Sequence, residues 1–134
     1  MDKVRLINFP CYQEDNGDLV VIQEMDDSVP FHISRVFNVR ADKDSIRGQH
    51  AHSECTQLLV CTNGSIEASC DDGETQSTHI LNKPYKGLLI LPGVWVEQKY
   101  LENSSILTVL CDQPFNEEEY IRNYDEFKNY LNSK

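Results

Sequence analysis

The chain has 134 residues, 40% of them hydrophobic, and carries 22 acidic against 12 basic side chains for a formal net charge of −10. That length supports one well-formed core rather than two ordinary ones. The charge argues against a generic nucleic-acid or anionic-membrane surface, because its field repels polyanions, so an anionic ligand must meet a local cluster of arginines.

No apolar run approaches the roughly 20 residues of a membrane-crossing helix, and Met1 to Arg5 lacks a signal-peptide pattern. A cytoplasmic protein with no membrane partner is expected. The five cysteines (Cys11, Cys55, Cys61, Cys70, Cys111) are odd in number, contain no C-x-x-C pair and mostly sit in apolar stretches. They are expected to be reduced core thiols, since free cysteine packs like a small hydrophobe.

In chain order, Lys3 to Phe9 is a short apolar segment stopped by Pro10, and the turn signal Asp15-Asn16-Gly17-Asp18 before Leu19 to Glu24 predicts an N-terminal hairpin within residues 1–30. From Phe31 to Val39 the residues alternate, with Phe31, Ile33, Arg35, Phe37 and Val39 on one face and His32, Ser34, Val36 and Asn38 on the other. Short strands then follow quickly: Gln57 to Cys61, Ser65 to Cys70, Thr75 to Leu81, Gly87 to Leu91, Val94 to Tyr100 and Ile106 to Cys111. Asn63-Gly64 and Asp71-Asp72-Gly73 between them read as hairpin turns. About nine short strands without intervening helices predict an all-β antiparallel sandwich or barrel. The tail differs. Asn116 with Glu119 reads as a capping box, and Tyr120, Ile121, Tyr124, Phe127 and Leu131 recur at helical spacing, which predicts a helix over 116–131. No linker or repeat suggests a second domain, so residues 1–134 are read as one.

The stretch Arg47-Gly48-Gln49-His50-Ala51-His52 carries the chemistry. On a strand, His50 and His52 project from one face and present two imidazoles side by side. His50-x-His52, Gln57 and Gly64 together resemble the first motif of the cupin superfamily, and Gly87 through Pro92 with Trp95 resembles the second. The usual glutamate is Gln57 here, and the position of a third metal-binding histidine is Val96. Two neutral nitrogens without a carboxylate or third imidazole make a poor divalent-metal site, so no metal or other cofactor is expected.

A narrower resemblance covers nearly the whole chain. Arg47-Gly48-x-His50-Ala51-His52, Asn63-Gly64-Ser65, Asp71-Asp72-Gly73, Gly87-Leu88, Trp95-x-Glu97, Val109-Leu110 and Tyr120-Ile121-Arg122-x-Tyr124-x-x-Phe127 are similar to the metal-independent sugar 3,4-ketoisomerases of the WxcM-like/FdtA cupin group. The resemblance implies an RmlC-like jelly-roll barrel, a homodimer with exchanged N-terminal strands, and a dTDP-linked keto-deoxysugar as substrate on the way to amino sugars of surface polysaccharides such as lipopolysaccharide. Moving a ketone from C4 to C3 requires removal of the C3 proton and return of a proton to C4 through an enediol(ate), work suited to histidine. His50 and His52 are the expected acid/base pair, and Arg47 is expected to hold the developing oxyanion. Arg35, Phe37, Asn38, Gln57, Trp95 and Val96 are the expected substrate-binding residues. The chain departs from the family at Phe37-Asn38, where a tyrosine is usual, at Asn16 and at Val96. A related nucleotide-sugar epimerase or isomerase, and a non-catalytic sugar-nucleotide-binding cupin, therefore stand as alternatives.

Overall fold

The computed structural model describes residues 1–26 and 28–134. Twelve strands are present among them: β1 (Val4–Asn8), β2 (Cys11–Glu14), β3 (Gly17–Val20), β4 (Arg35–Ala41), β5 (Ile46–His52), β6 (Gln57–Asn63), β7 (Ile66–Asp71), β8 (Gln76–Leu81), β9 (Lys86–Ile90), β10 (Trp95–Tyr100), β11 (Ser105–Cys111) and β12 (Tyr120–Ile121). One helix, α1 (Tyr124–Asn132), follows them. Two five-stranded sheets, ordered β1-β9-β6-β11-β4 and β12-β5-β10-β7-β8, face each other with every strand pair antiparallel. The all-β antiparallel architecture expected from the strand pattern is the one found, in the jelly-roll form that the family resemblance implies.

The core lies between the sheets, where Leu59, Cys61, Ile66, Leu81, Leu88, Tyr100 and Leu107 are almost completely buried. A second apolar layer covers the outside of the first sheet. Phe9, Val29 and Phe31 fold back over Leu58, Val60, Leu89 and Leu110, which explains why β6 and β9 read as continuous apolar runs rather than alternating ones. The β2–β3 hairpin forms a separate two-stranded sheet that leaves Tyr12 and Leu19 exposed.

Two sequence expectations are corrected by the topology. Asp71-Asp72-Gly73 does close the β7–β8 hairpin, but Asn63-Gly64 joins β6 in one sheet to β7 in the other. Gly64 has φ +82°, and a Cβ there would collide with Ser105. The same left-handed turn signal thus serves a crossover between layers as well as a hairpin. The predicted helix over 116–131 is the second. Asn116 caps only a 3-10 turn at Glu117–Glu119, the chain then extends as β12, and α1 begins behind a separate cap in which Asn123 accepts from the amides of Asp125 and Glu126. Extended pairing of Tyr120 with His52 and of Ile121 with Ala51 outweighs the local helical preference of that short segment. From there Phe127 is fully buried against Ala51 and Trp95, fixing α1 to the outer face of the second sheet.

Candidate active site

A bulge in β5 decides which side chains meet. Val96 of β10 pairs with His50 and the next residue, Glu97, pairs with Gly48, so Gln49 is an extra residue in β5. Gly48 and Gln49 both take positive φ, at 83° and 56°. Strict alternation would place Arg47 and His50, three residues apart, on opposite faces; the inserted residue restores them to one face. Glycine suits 48, where φ is positive and a Cβ would lie 3.0 Å from the Val96 carbonyl oxygen as well as 2.5 Å from the Gln98 side-chain oxygen.

Arg47 and His50 accordingly line the same cavity of about 240 Å³, together with Phe37, Gln57, Gln98 and Tyr120. Two roomier hollows of about 350 and 430 Å³ flank α1, but neither contains an imidazole. Chemistry therefore assigns the site to the smaller one. His50 Nδ1 lies 3.0 Å from the carbonyl oxygen of Gly48. A carbonyl can only accept, so Nδ1 carries the hydrogen and Nε2 keeps its lone pair. Burial, reinforced by repulsion from His52 and only partly opposed by that carbonyl, lowers the His50 pKa to about 4. The ring is thus a neutral base over the physiological range.

His52 is 6% exposed and stands behind His50, with ring centroids 4.9 Å apart and planes nearly perpendicular. Its Nδ1 is 2.5 Å from Glu119 Oε2. The other carboxylate oxygen of Glu119 accepts from the amides of Cys55 at 3.0 Å and Glu54 at 3.2 Å. Burial alone would raise the Glu119 carboxyl, but His52 and these amides outweigh it and the net shift is downward. Burial lowers His52, opposed by Glu119. Both directions describe a neutral imidazole donating to a carboxylate, which leaves His52 Nε2 as a buried atom without a hydrogen-bond partner among the described residues.

The other expected site residues divide. Phe37 and Gln57 are on the cavity wall, Gln57 donating to Cys111 Sγ at 3.7 Å. Arg35 stands just behind the wall, where one amino group donates to Tyr120 Oη at 3.2 Å and reaches Cys111 Sγ at 3.5 Å. Three placements correct the sequence reading. Asn38 is on the outer face of β4, accepting from the Thr108 hydroxyl at 2.6 Å, as strict alternation from Phe37 demands. Trp95 faces outward from β10 beneath α1, 5.9 Å from Phe127 and with its indole nitrogen donating to Glu97 at 3.0 Å. Val96 points inward but sits in the apolar core, clear of the cavity. Glu119 and Tyr120 were missed because the segment holding them reads as helix. The one signal for Glu119 was its position after Asn116, which instead closes the 3-10 turn that aims the carboxylate inward.

Donor chemistry does not favour a metal here. His52, Cys55 and Glu119 offer atoms within 4.8 Å of one another. The carboxylate is already shared between an imidazole and two amides, and hydrogen bonding to Cys111 together with burial pushes the Cys55 thiol up and away from the thiolate a metal needs. Nearby, Gln57 is neutral and Val96 offers no donor. No step is therefore assigned to a metal.

A family model described as WxcM-like, C-terminal (FdtA) matches residues 2–132. The chain belongs to the FdtA family. It is 38% identical over 128 residues to a TDP-4-oxo-6-deoxy-α-D-glucose-3,4-oxoisomerase of Aneurinibacillus thermoaerophilus, covering 95% of this chain and 91% of that one. Among solved structures, a 3,4-ketoisomerase from Helicobacter canadensis is 35% identical with a TM-score of 0.91, covering 96% of this chain and 97% of the other. A mutant of the 3,4-ketoisomerase QdtA from Thermoanaerobacterium thermosaccharolyticum, in complex with TDP-4-keto-6-deoxyglucose, is 32% identical with a TM-score of 0.94, covering 100% and 97%. The RmlC epimerase of Legionella pneumophila, at 15% identity and a TM-score of 0.78, shows the common fold. The FdtA resemblance drawn from the motifs thus extends through the whole chain.

Proposed function

We propose that this FdtA-family protein catalyses the 3,4-ketoisomerisation of a TDP-linked 4-keto-6-deoxyhexose. The observation that carries this reading is His50, a neutral imidazole with its Nε2 lone pair free, held on the cavity surface beside Arg47. The C4 carbonyl acidifies the C3 proton, and His50 takes it while electrons move toward O4. Arg47 has no ion-pair partner among the described residues. It is free to stabilise the oxygen of the enediolate without losing its own charge. Transfer of the O3 proton to O4 and return of the carbon-bound proton from His50 to C4 leave the ketone at C3 and a hydroxyl at C4. Oxidation of one carbon is balanced by reduction of its neighbour, so the sequence of steps consumes no redox partner.

The test is proton NMR of TDP-4-keto-6-deoxyglucose incubated with the protein in deuterated buffer. Conversion to the 3-keto isomer with deuterium at C3 or C4 is expected; absence of both after long incubation would falsify the reading for this substrate. The protonation state gives a second expectation. Because the base acts unprotonated and its pKa is lowered to about 4, kcat/KM should hold as pH falls through 6.5 and decline only toward pH 5 and below. An acid limb centred near 6.5, measured where the fold is intact, would contradict the environment described for His50.

The protein is further read as a cytoplasmic homodimer serving surface-polysaccharide synthesis, including lipopolysaccharide. Five free cysteines suit a reducing compartment. The projecting β2–β3 hairpin with exposed Tyr12 and Leu19 suits docking on a second copy. Sedimentation equilibrium should return twice the monomer mass, and a single-chain mass at micromolar concentration would remove the dimer.

A further inference from the structure

The ketoisomerase reading moves two protons, one between carbons and one between oxygens, and only the first has been assigned to a residue. His52 is an obvious candidate for the second, but it is buried behind His50 and absent from the cavity wall. Tyr120 is on that wall. It pairs with His52 across β12 and β5, and its ring centroid lies 4.4 Å from that of His52 and 5.3 Å from that of His50. The hydroxyl oxygen accepts from Arg35 at 3.2 Å. A phenol that accepts from a guanidinium must aim its own hydrogen elsewhere, and no acceptor takes that hydrogen among the described residues. The other phenol at the cavity, Tyr100, is fully buried and donates to the Val39 carbonyl at 3.4 Å. Phe37 has no hydroxyl to offer.

We propose that Tyr120 is a catalytic residue that carries the oxygen-bound proton, and that Arg35 is the residue that positions it. The assignment rests on the ketoisomerase reading. As His50 removes the C3 proton, the C3–H electron pair forms the C3=C4 bond, the C4 carbonyl pair moves to O4, and O4 takes the phenolic proton. The O3 proton then passes to the tyrosinate, whose charge the Arg35 guanidinium balances. The O3–H pair becomes the C3 carbonyl, and the C3=C4 pair takes the proton from His50 at C4. Both residues end as they began.

The experiment compares exchange with turnover, using TDP-4-keto-6-deoxyglucose in deuterated buffer. Tyr120→Phe keeps the ring against both imidazoles and removes only the carrier. Turnover is expected to fall about 100-fold, within the usual contribution of one acid/base group. Deuterium wash-in at C3 of the recovered substrate should fall less, so that the ratio of exchange to turnover rises at least about tenfold. Arg35→Met should raise the ratio in the same sense, and Arg35→Lys, which keeps a cationic donor, should restore part of it. Turnover within about threefold of the wild type, or equal losses of exchange and turnover in Tyr120→Phe, would overturn the assignment while leaving the ketoisomerase reading standing. A wild-type protein that neither exchanges nor converts the ketosugar would remove both together.

Discussion

His50→Gln should lower kcat by about 10³- to 10⁴-fold while TDP still binds, as measured by steady-state turnover and by titration calorimetry. The upper end of the usual range for one acid/base group is expected because the same nitrogen acts twice, taking the proton from C3 and returning it to C4. Glutamine can keep a hydrogen bond to the Gly48 carbonyl, which His50 contacts at 3.0 Å, but no amide nitrogen supplies a basic lone pair. Its fold should therefore survive with the chemistry removed. Deuterium exchange at C3 should disappear in parallel with turnover. Activity within tenfold of the wild type would mean that another group takes the carbon proton.

Glu119→Ala should affect both stability and rate. The carboxylate is 4% exposed and is shared between His52 Nδ1 and the amides of Glu54 and Cys55. Removing it strands two buried donors, His52 Nδ1 and the Cys55 amide, each costing about 1–3 kcal/mol, and the partly buried Glu54 amide besides. A loss of about 3 kcal/mol or more is expected, readable as a fall in thermal midpoint of roughly 10 °C for a domain of this size. Glu119→Gln separates the two effects. A single amide oxygen can serve either His52 or the loop amides but not both, so this variant should lose less stability than the alanine variant. The histidine tautomer would no longer be fixed by a carboxylate, and kcat should still fall by about 10- to 100-fold. A glutamine variant with wild-type kcat would reduce Glu119 to a support for the loop.

What sequence could and could not reveal follows from the range of the interactions. The shared face of His50 and His52 was legible because strand alternation is a local rule, and the acidic balance limited the partners before any contact was known. It was not legible that His52 would lie buried behind His50 and off the cavity wall, rather than beside it as half of an acid/base pair. Arg47 was named beside them from its place in the motif, but period-two alternation alone points it away from the cavity. Only the extra residue at Gln49, visible in the pairing with β10, turns it inward. Asn38 shows the reverse case. Its placement on the face opposite Phe37 was already implied by alternation, and the resemblance to a family strand drew it into the site against that rule. Trp95 and Val96 carried a motif whose metal-binding use is not supported by their surroundings, and both are spent on packing, one under α1 and one between the sheets. Glu119 and Tyr120 were hidden because a capping box and a helical spacing are signals about neighbours in sequence. Their actual partners, His52 and Arg35, are 67 and 85 residues away.

The run from Glu117 to Ile121 lies outside the pairing that builds the rest of the two sheets. Nine strands build the two sheets without it, and every pairing apart from that of β12 is made by residues up to Cys111. Those nine strands contain the core between the sheets and both histidines, but not the carboxylate behind His52 or the phenol beside His50. The last strand in sequence is the one that brings the carboxylate and the phenol to the pocket. Burial of the barrel and readiness of the site thus rest on different segments of the chain, since no residue from Glu117 to Ile121 belongs to the core between the sheets.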